Sequence, residues 1–202
     1  MRRLSAGRLS ASGMMMAGLA LGLLSGCNSG PPPPRFADLT FTNQPPIELN
    51  VASIQVVEEY PAQLDAPHIE ERLPVPLPHA AENWAHDRLK PVGPAGVAVA
   101  TITDASVLEA RLPTEGGVSG SFTKQADTKY DAAVAIRVEI KDEHGFTVRS
   151  ASAVAQRSQT TIEGITPNDR DQILYQMETD LMTDLDRQLE TNIRSNFGAF
   201  LR

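Results

Sequence analysis

The clearest pattern in the chain lies between Asp131 and Lys141, where Ala132, Val134, Ile136, Val138 and Ile140 alternate with Asp131, Arg137, Glu139 and Lys141. A period of two with one apolar and one charged face predicts a strand buried on one side only. Asp142 to Gly145 reads as a turn, and Phe146, Val148, Ala151, Ala153 and Ala155 return as the second arm of a hairpin that continues toward Thr161. Alanines along one face of this arm leave room for a bulky element, most simply a helix. Thr166, Pro167 and Asp169 supply an N-cap, a first-turn proline and an acidic third residue. Ile173, Met177, Leu181, Leu185, Leu189 and Ile193 then recur every four residues, joined by Leu174 and Met182. The spacing predicts a long amphipathic helix to about Asn196, just before Gly198.

Upstream the periods are shorter. Leu39 and Phe41 suggest a short strand. Ile47, Leu49 and Val51 alternate with Glu48 and Asn50, and the phase slips at Ala52 and Ser53 before resuming at Ile54 and Val56, which predicts one strand carrying a β-bulge. Five prolines between Tyr60 and Pro78 argue against regular structure there. That segment reads as an extended crossover on the domain surface, held by Leu64, Ile69, Leu73, Val75 and Leu77. His79 to Lys90, bounded by Pro78 and Pro91, carries Ala81, Trp84, Ala85 and Leu89 at helical spacing and predicts a short amphipathic helix. Gly96 to Leu112, rich in β-branched residues, predicts a central strand bulged or broken near Asp104. Thr114 to Thr128, with Gly116, Gly117 and Gly120, reads as an irregular connection.

The first 35 residues follow different rules. Arg2, Arg3 and Arg8 precede an apolar run of 12 residues from Gly13 to Leu24, too short to span a bilayer. Leu24, Ser25, Gly26 and Cys27 close it. A leucine, two small residues and a cysteine form the recognition sequence of bacterial lipoprotein processing, so Leu24, Ser25 and Gly26 are the expected signal residues and Cys27 the expected lipidation site. Residues 1–26 are then a removed signal peptide, 27–35 a lipidated cysteine with a tether stiffened by Pro31 to Pro34, and 36–202 a single periplasmic domain. Three acyl chains on such a terminus anchor it firmly. Asn28, where aspartate would signal retention in the inner membrane, favours the outer membrane.

Charge narrows the partners. Residues 27–202 carry 25 acidic and 15 basic side chains, a net charge of −10. No basic stripe serves a phosphate backbone, so nucleic acid is excluded as an expected partner, and attachment to a membrane falls to the acyl chains. With Cys27 the sole cysteine, no disulfide is available, and packing must stabilise the domain.

Catalytic and metal chemistry is not evident. Of the four histidines His68, His79, His86 and His144, only His79 and His86 could share a helix face, and no third ligand stands at metal-like spacing. The glycines after Thr114 lack the lysine and hydroxyl residue of a P-loop. The acidic pairs Glu58, Glu59 and Glu70, Glu71 read as solvated charges. No catalytic residue, metal site or cofactor is therefore expected, and the chain reads as a non-enzyme. Trp84, the single tryptophan, reads as a core anchor between helix and sheet, with ligand contact as its other role.

The stretch Ile47–Leu89 resembles the auxiliary lipoproteins of ABC-type transport systems, the family that includes the lipoprotein partner of paraquat-inducible, mammalian-cell-entry-type lipid transporters. The resemblance rests on the lipobox and a first strand ending near Tyr60. It continues in the run Leu64, Asp65, Ala66, Pro67, His68, Ile69 with Arg72, in Trp84, Ala85 and Leu89, and in the closing hairpin and helix. It implies a small α+β domain whose helices cover one side of an antiparallel sheet, serving an envelope complex without catalysis of its own.

Together these readings predict an α+β fold. An antiparallel sheet of four to five strands carries the short helix and the long C-terminal helix on one face, and the opposite face is more polar. The expected function is a lipid-anchored accessory subunit of an envelope transport or assembly complex with protein partners. The alternative is a stand-alone periplasmic protein holding a lipid or other apolar ligand between helix and sheet.

Overall fold

A computed structural model describes residues 36–61, 63–113 and 125–202, so the expected signal sequence, the lipidation site at Cys27 and most of the glycine-containing connection lie outside the described residues. The fold is α+β. Its elements are β1 (Ile47–Leu49), β2 (Ser53–Glu58), a 3-10 turn (Glu70–Arg72), α1 (Leu77–Arg88), β3 (Leu89–Pro91), β4 (Val97–Arg111), β5 (Ala126–Lys141), β6 (Thr147–Ile162) and α2 (Pro167–Phe197). The main sheet has the order β2-β4-β5-β6.

Alternation in β5 does what period-two patterning demands. Tyr130, Ala132, Val134, Ile136, Val138 and Ile140 are buried, while Asp131, Arg137 and Glu139 lie on the opposite, more polar face. β4 and β6 flank β5 antiparallel. In β4 the register slips between Ile102 and Asp104, close to the expected position. Ala98, Ala100 and Ile102 are buried before the slip and Ala105 and Val107 after it. One extra residue thus restores the apolar side to the core after the phase has changed. On β6, Ala151, Ala153 and Ala155 are buried beneath α2, which packs on β6 and β5, while α1 packs beside it over β2 and β4. Both helices therefore cover one face.

The ends of α2 follow its sequence. The Thr166 hydroxyl accepts a hydrogen bond from the Asp169 amide, Pro167 occupies the first turn, and Gly198, at φ +48°, takes the chain out of the helix. Ile173 is only half-buried, and Leu174 carries the buried stripe in its place.

Several local expectations are corrected. β2 runs parallel to β4, not antiparallel, because the chain between them contains a whole crossover with α1 and re-enters the sheet from the end at which β2 began. The slip at Ala52 and Ser53 is a change of sheet rather than a bulge. β1 pairs parallel with β3, β2 joins β4, and Gly93 passes so close to the intervening corner that a Cβ there would lie 2.5 Å from the Asn50 carbonyl carbon. Leu39 and Phe41 form no strand, because side chains of α1 take up their backbone: Asn83 Nδ2 donates to the Leu39 carbonyl and the Phe41 amide donates to Asp87. α1 spans Leu77–Arg88 instead of the expected His79–Lys90, and Leu89 begins β3.

The proline-rich crossover is tied down along most of its length. Glu59 and Tyr60 donate to the Ile102 carbonyl, Ile69 donates to the Val107 carbonyl, and the Glu109 amide donates to the Pro67 carbonyl. It therefore continues the sheet edge where β2 stops. Ile69, Leu73, Val75 and Leu77 are buried as expected, whereas Leu64 is 78% exposed and holds nothing.

Candidate functional site

Trp84 lies in the third turn of α1, fully buried, with its indole N–H donating to Asp186 Oδ1 at 2.8 Å. The same oxygen accepts from Arg88 Nε at 2.7 Å. Arg88, 0% exposed, also donates to the Pro45 carbonyl and pairs with Glu190, which pairs in turn with Arg194. One guanidinium thus joins α1, α2 and the segment leading into β1. A planar fork of donors suits this, and the carboxylate opposite it is left with no unmet charge. Because its ring is enclosed and its single donor is engaged, Trp84 acts here as a core anchor.

A second polar cluster was not legible as such from the sequence. Glu70, expected to be solvated like Glu71, is 0% exposed. Its carboxylate accepts from Tyr60 Oη at 2.6 Å and from the Val107 amide at 3.3 Å, and His68 Nδ1 lies 3.2 Å away. The buried setting and the neighbouring carboxylate push the Tyr60 hydroxyl well above its ordinary range, so it stays protonated and donates. The cluster fastens the crossover to β4. His79 bonds Asp38 at 3.1 Å, while His86 and His144 are exposed. Among the described residues no group of three or more histidine, cysteine, aspartate or glutamate side chains is placed to hold a metal ion.

Glu178 is a third buried carboxyl and the least expected. It is 0% exposed on α2, and neither of its oxygens has a hydrogen-bond partner. Burial pushes it up to about 8, offset only in part by the Val75 backbone. At neutral pH it is therefore mostly an uncharged acid inside the core. A signal for both buried acids was present: Leu174, Glu178, Met182 and Asp186 follow one another at four-residue spacing along one face of α2.

The seam between α2 and β6 is packed along its middle, with a cleft of about 180 Å³ at its Ile173 end lined by Arg157, Gln159 and Met177. Leu174, Leu181, Leu185, Leu189 and Ile193 are fully buried against Ala151, Ala153 and Ala155. An opening lies at the end of the sheet where β4 begins and β5 ends. It is an open cleft of about 390 Å³ walled by Pro94, Ala95 and Phe200, with Asn50 at one side and Lys141 and the β5–β6 turn at the other.

At the other end of the domain Phe36 packs on Tyr175 in the third turn of α2, with ring centroids 5.0 Å apart, and Leu39 and Phe41 are buried beyond it. The described chain thus enters along the helical layer. No described helix is long and apolar enough to cross a membrane, which says nothing of strands.

No protein-family model matches the chain. No curated protein matches it either. Among solved structures it is similar to a crystal structure of a minor lipoprotein from Acinetobacter baumannii. The two share 14% sequence identity over 71% of this chain and 94% of that one, with a TM-score of 0.37, a likeness too remote to bear on what this chain does.

Proposed function

We propose that the protein is a lipid-anchored, non-catalytic periplasmic subunit of an envelope transport or assembly complex, held in the outer membrane through acyl chains on Cys27. The observation that carries this reading is the sequence Leu24, Ser25, Gly26, Cys27 after a short apolar run, followed by a proline tether that leads into a folded domain. Asn28 supports the outer membrane over the inner. The polar clusters fit a structural role, since Asp186 joins two helices and Glu70 fastens the crossover. The reading in which an apolar ligand sits between helix and sheet is not adopted, because leucines and alanines occupy that seam.

The test is purification of the tagged, detergent-solubilised protein from its own envelope. Stoichiometric recovery of a permease, an ATPase or an outer-membrane assembly protein is the expected result. A monomer that elutes alone with extractable lipid would overturn it.

A further inference from the structure

The cleft beside Phe200 adjoins an exposed aromatic side chain. Phe146 closes the β5–β6 turn, where its amide donates to Asp142 Oδ1 and its carbonyl accepts from the Asp142 amide, and its side chain is 70% exposed. Asp142, Glu143 and His144 of the same turn line the cleft. A knob and a hole therefore share one tight turn. An engineered apolar cavity of roughly 150 Å³ takes up a benzene ring, so about 390 Å³ walled by Pro94, Ala95 and Phe200 has room for a phenyl group.

The charges around the cleft point to a particular occupant. Lys141 and Glu143 stand two residues apart at its rim, and neither side chain has a hydrogen-bond or ion-pair partner among the described residues. Asp142 is different: its Oδ1 accepts from the amides of His144 and Phe146. A rim with one free cation and one free anion is not matched by a uniformly charged ligand, but it is matched by its own copy turned about a two-fold axis. Lys141 then faces Glu143 of the other copy twice over, and each Phe146 faces the other cleft, which is the self-complementarity an isologous contact requires. Tyr175, on which Phe36 packs, and Phe197 are separated by roughly 33 Å of α2 at 1.5 Å per residue, so this end of the domain lies away from the end where the described chain enters.

We propose that the β5–β6 turn and the cleft beside Phe200 form a two-fold self-association surface, in which Phe146 of one copy enters the cleft of a second and Lys141 pairs with Glu143 across the axis. The pairing needs no acyl chain, so it stands or falls separately from the anchored reading.

Cysteine crosslinking in intact cells tests it, because the chain has a single cysteine, at position 27. The full-length Lys141→Cys, Glu143→Cys double variant should give, under mild oxidation, a reducible species of twice the chain mass, at least tenfold more abundant than from Val154→Cys on the open sheet face. Adding Phe146→Ala should reduce that species at least fivefold while thermal melting stays unchanged. In chains without the added cysteines, sedimentation should show loss of the dimer for Lys141→Glu alone and for Glu143→Lys alone, with recovery when the two are combined. Crosslinking no greater than the Val154→Cys control, crosslinking to a different protein, indifference to Phe146→Ala, or no recovery in the charge-swapped pair would overturn the proposal.

Discussion

Asp186 and Glu178 lie two turns apart on the same buried face of α2, and the fold treats them in opposite ways. Asp186 meets two donors, the Trp84 indole and the Arg88 guanidinium, and belongs to a network that spans α1, α2 and the segment before β1. Glu178 meets none and is held near neutrality by burial. What separates them is the facing element. The last turn of α1 brings a cation against Asp186, whereas Val75 of the crossover is the backbone neighbour of Glu178. An acid inside a core survives either by acquiring a charge partner or by keeping its proton.

The largest effect is expected from breaking the paired region. Arg88→Met keeps the length and apolar contacts of the stem but leaves Asp186 facing only Trp84, and loss of one partner of a buried pair typically costs about 3–5 kcal/mol. Urea unfolding at neutral pH should show a loss of that order, and a loss below about 1 kcal/mol would mean that the network does not hold α1 to α2.

The unpaired region should respond in the opposite sense and depend on pH. Glu178 has a folded value of about 8 against an ordinary 4.5, so the folded chain holds a proton that the unfolded chain releases between those values. Its contribution to stability is complete below about 4.5 and is lost progressively as pH rises toward about 8. Glu178→Gln, which cannot ionise, should therefore gain on the parent by about 3 kcal/mol between pH 5 and pH 8, at about 1.4 kcal/mol for each unit of displacement and discounted for relaxation. Parallel pH–stability curves for the two chains would contradict this and place the carboxyl in contact with solvent.

The sequence patterns that survived are those with a long, uninterrupted period. β5, β6, the slip in β4 and the whole of α2 were legible because each buries one face along ten or more residues, and a shift by one position would turn apolar side chains into water. Pairing direction was not legible, since Ile54 and Val56 bury the same face whether β2 runs parallel or antiparallel to β4. Nor was the division between β1 and β2, which depends on Gly93 passing close to Asn50 from 43 residues away. Among site residues, Trp84 could be placed from helical spacing. Arg88 and Glu70 could not, because a polar residue on an amphipathic segment reads as solvated until its buried partner, distant in sequence, is known; Asp186 shares the four-residue spacing of the buried stripe, but its partners on α1 do not show in that spacing.

Acyl chains on Cys27 are proposed to tie the folded α+β domain to a membrane, and metabolic labelling with a fatty acid reads that tie at its source. The parent chain should incorporate label and fractionate with the outer membrane. Cys27→Ser should incorporate none, yet retain the melting behaviour of the domain, since every residue of the described core stands at position 39 or later. Label that persists in the serine variant, or that never appears in the parent, would contradict the claim.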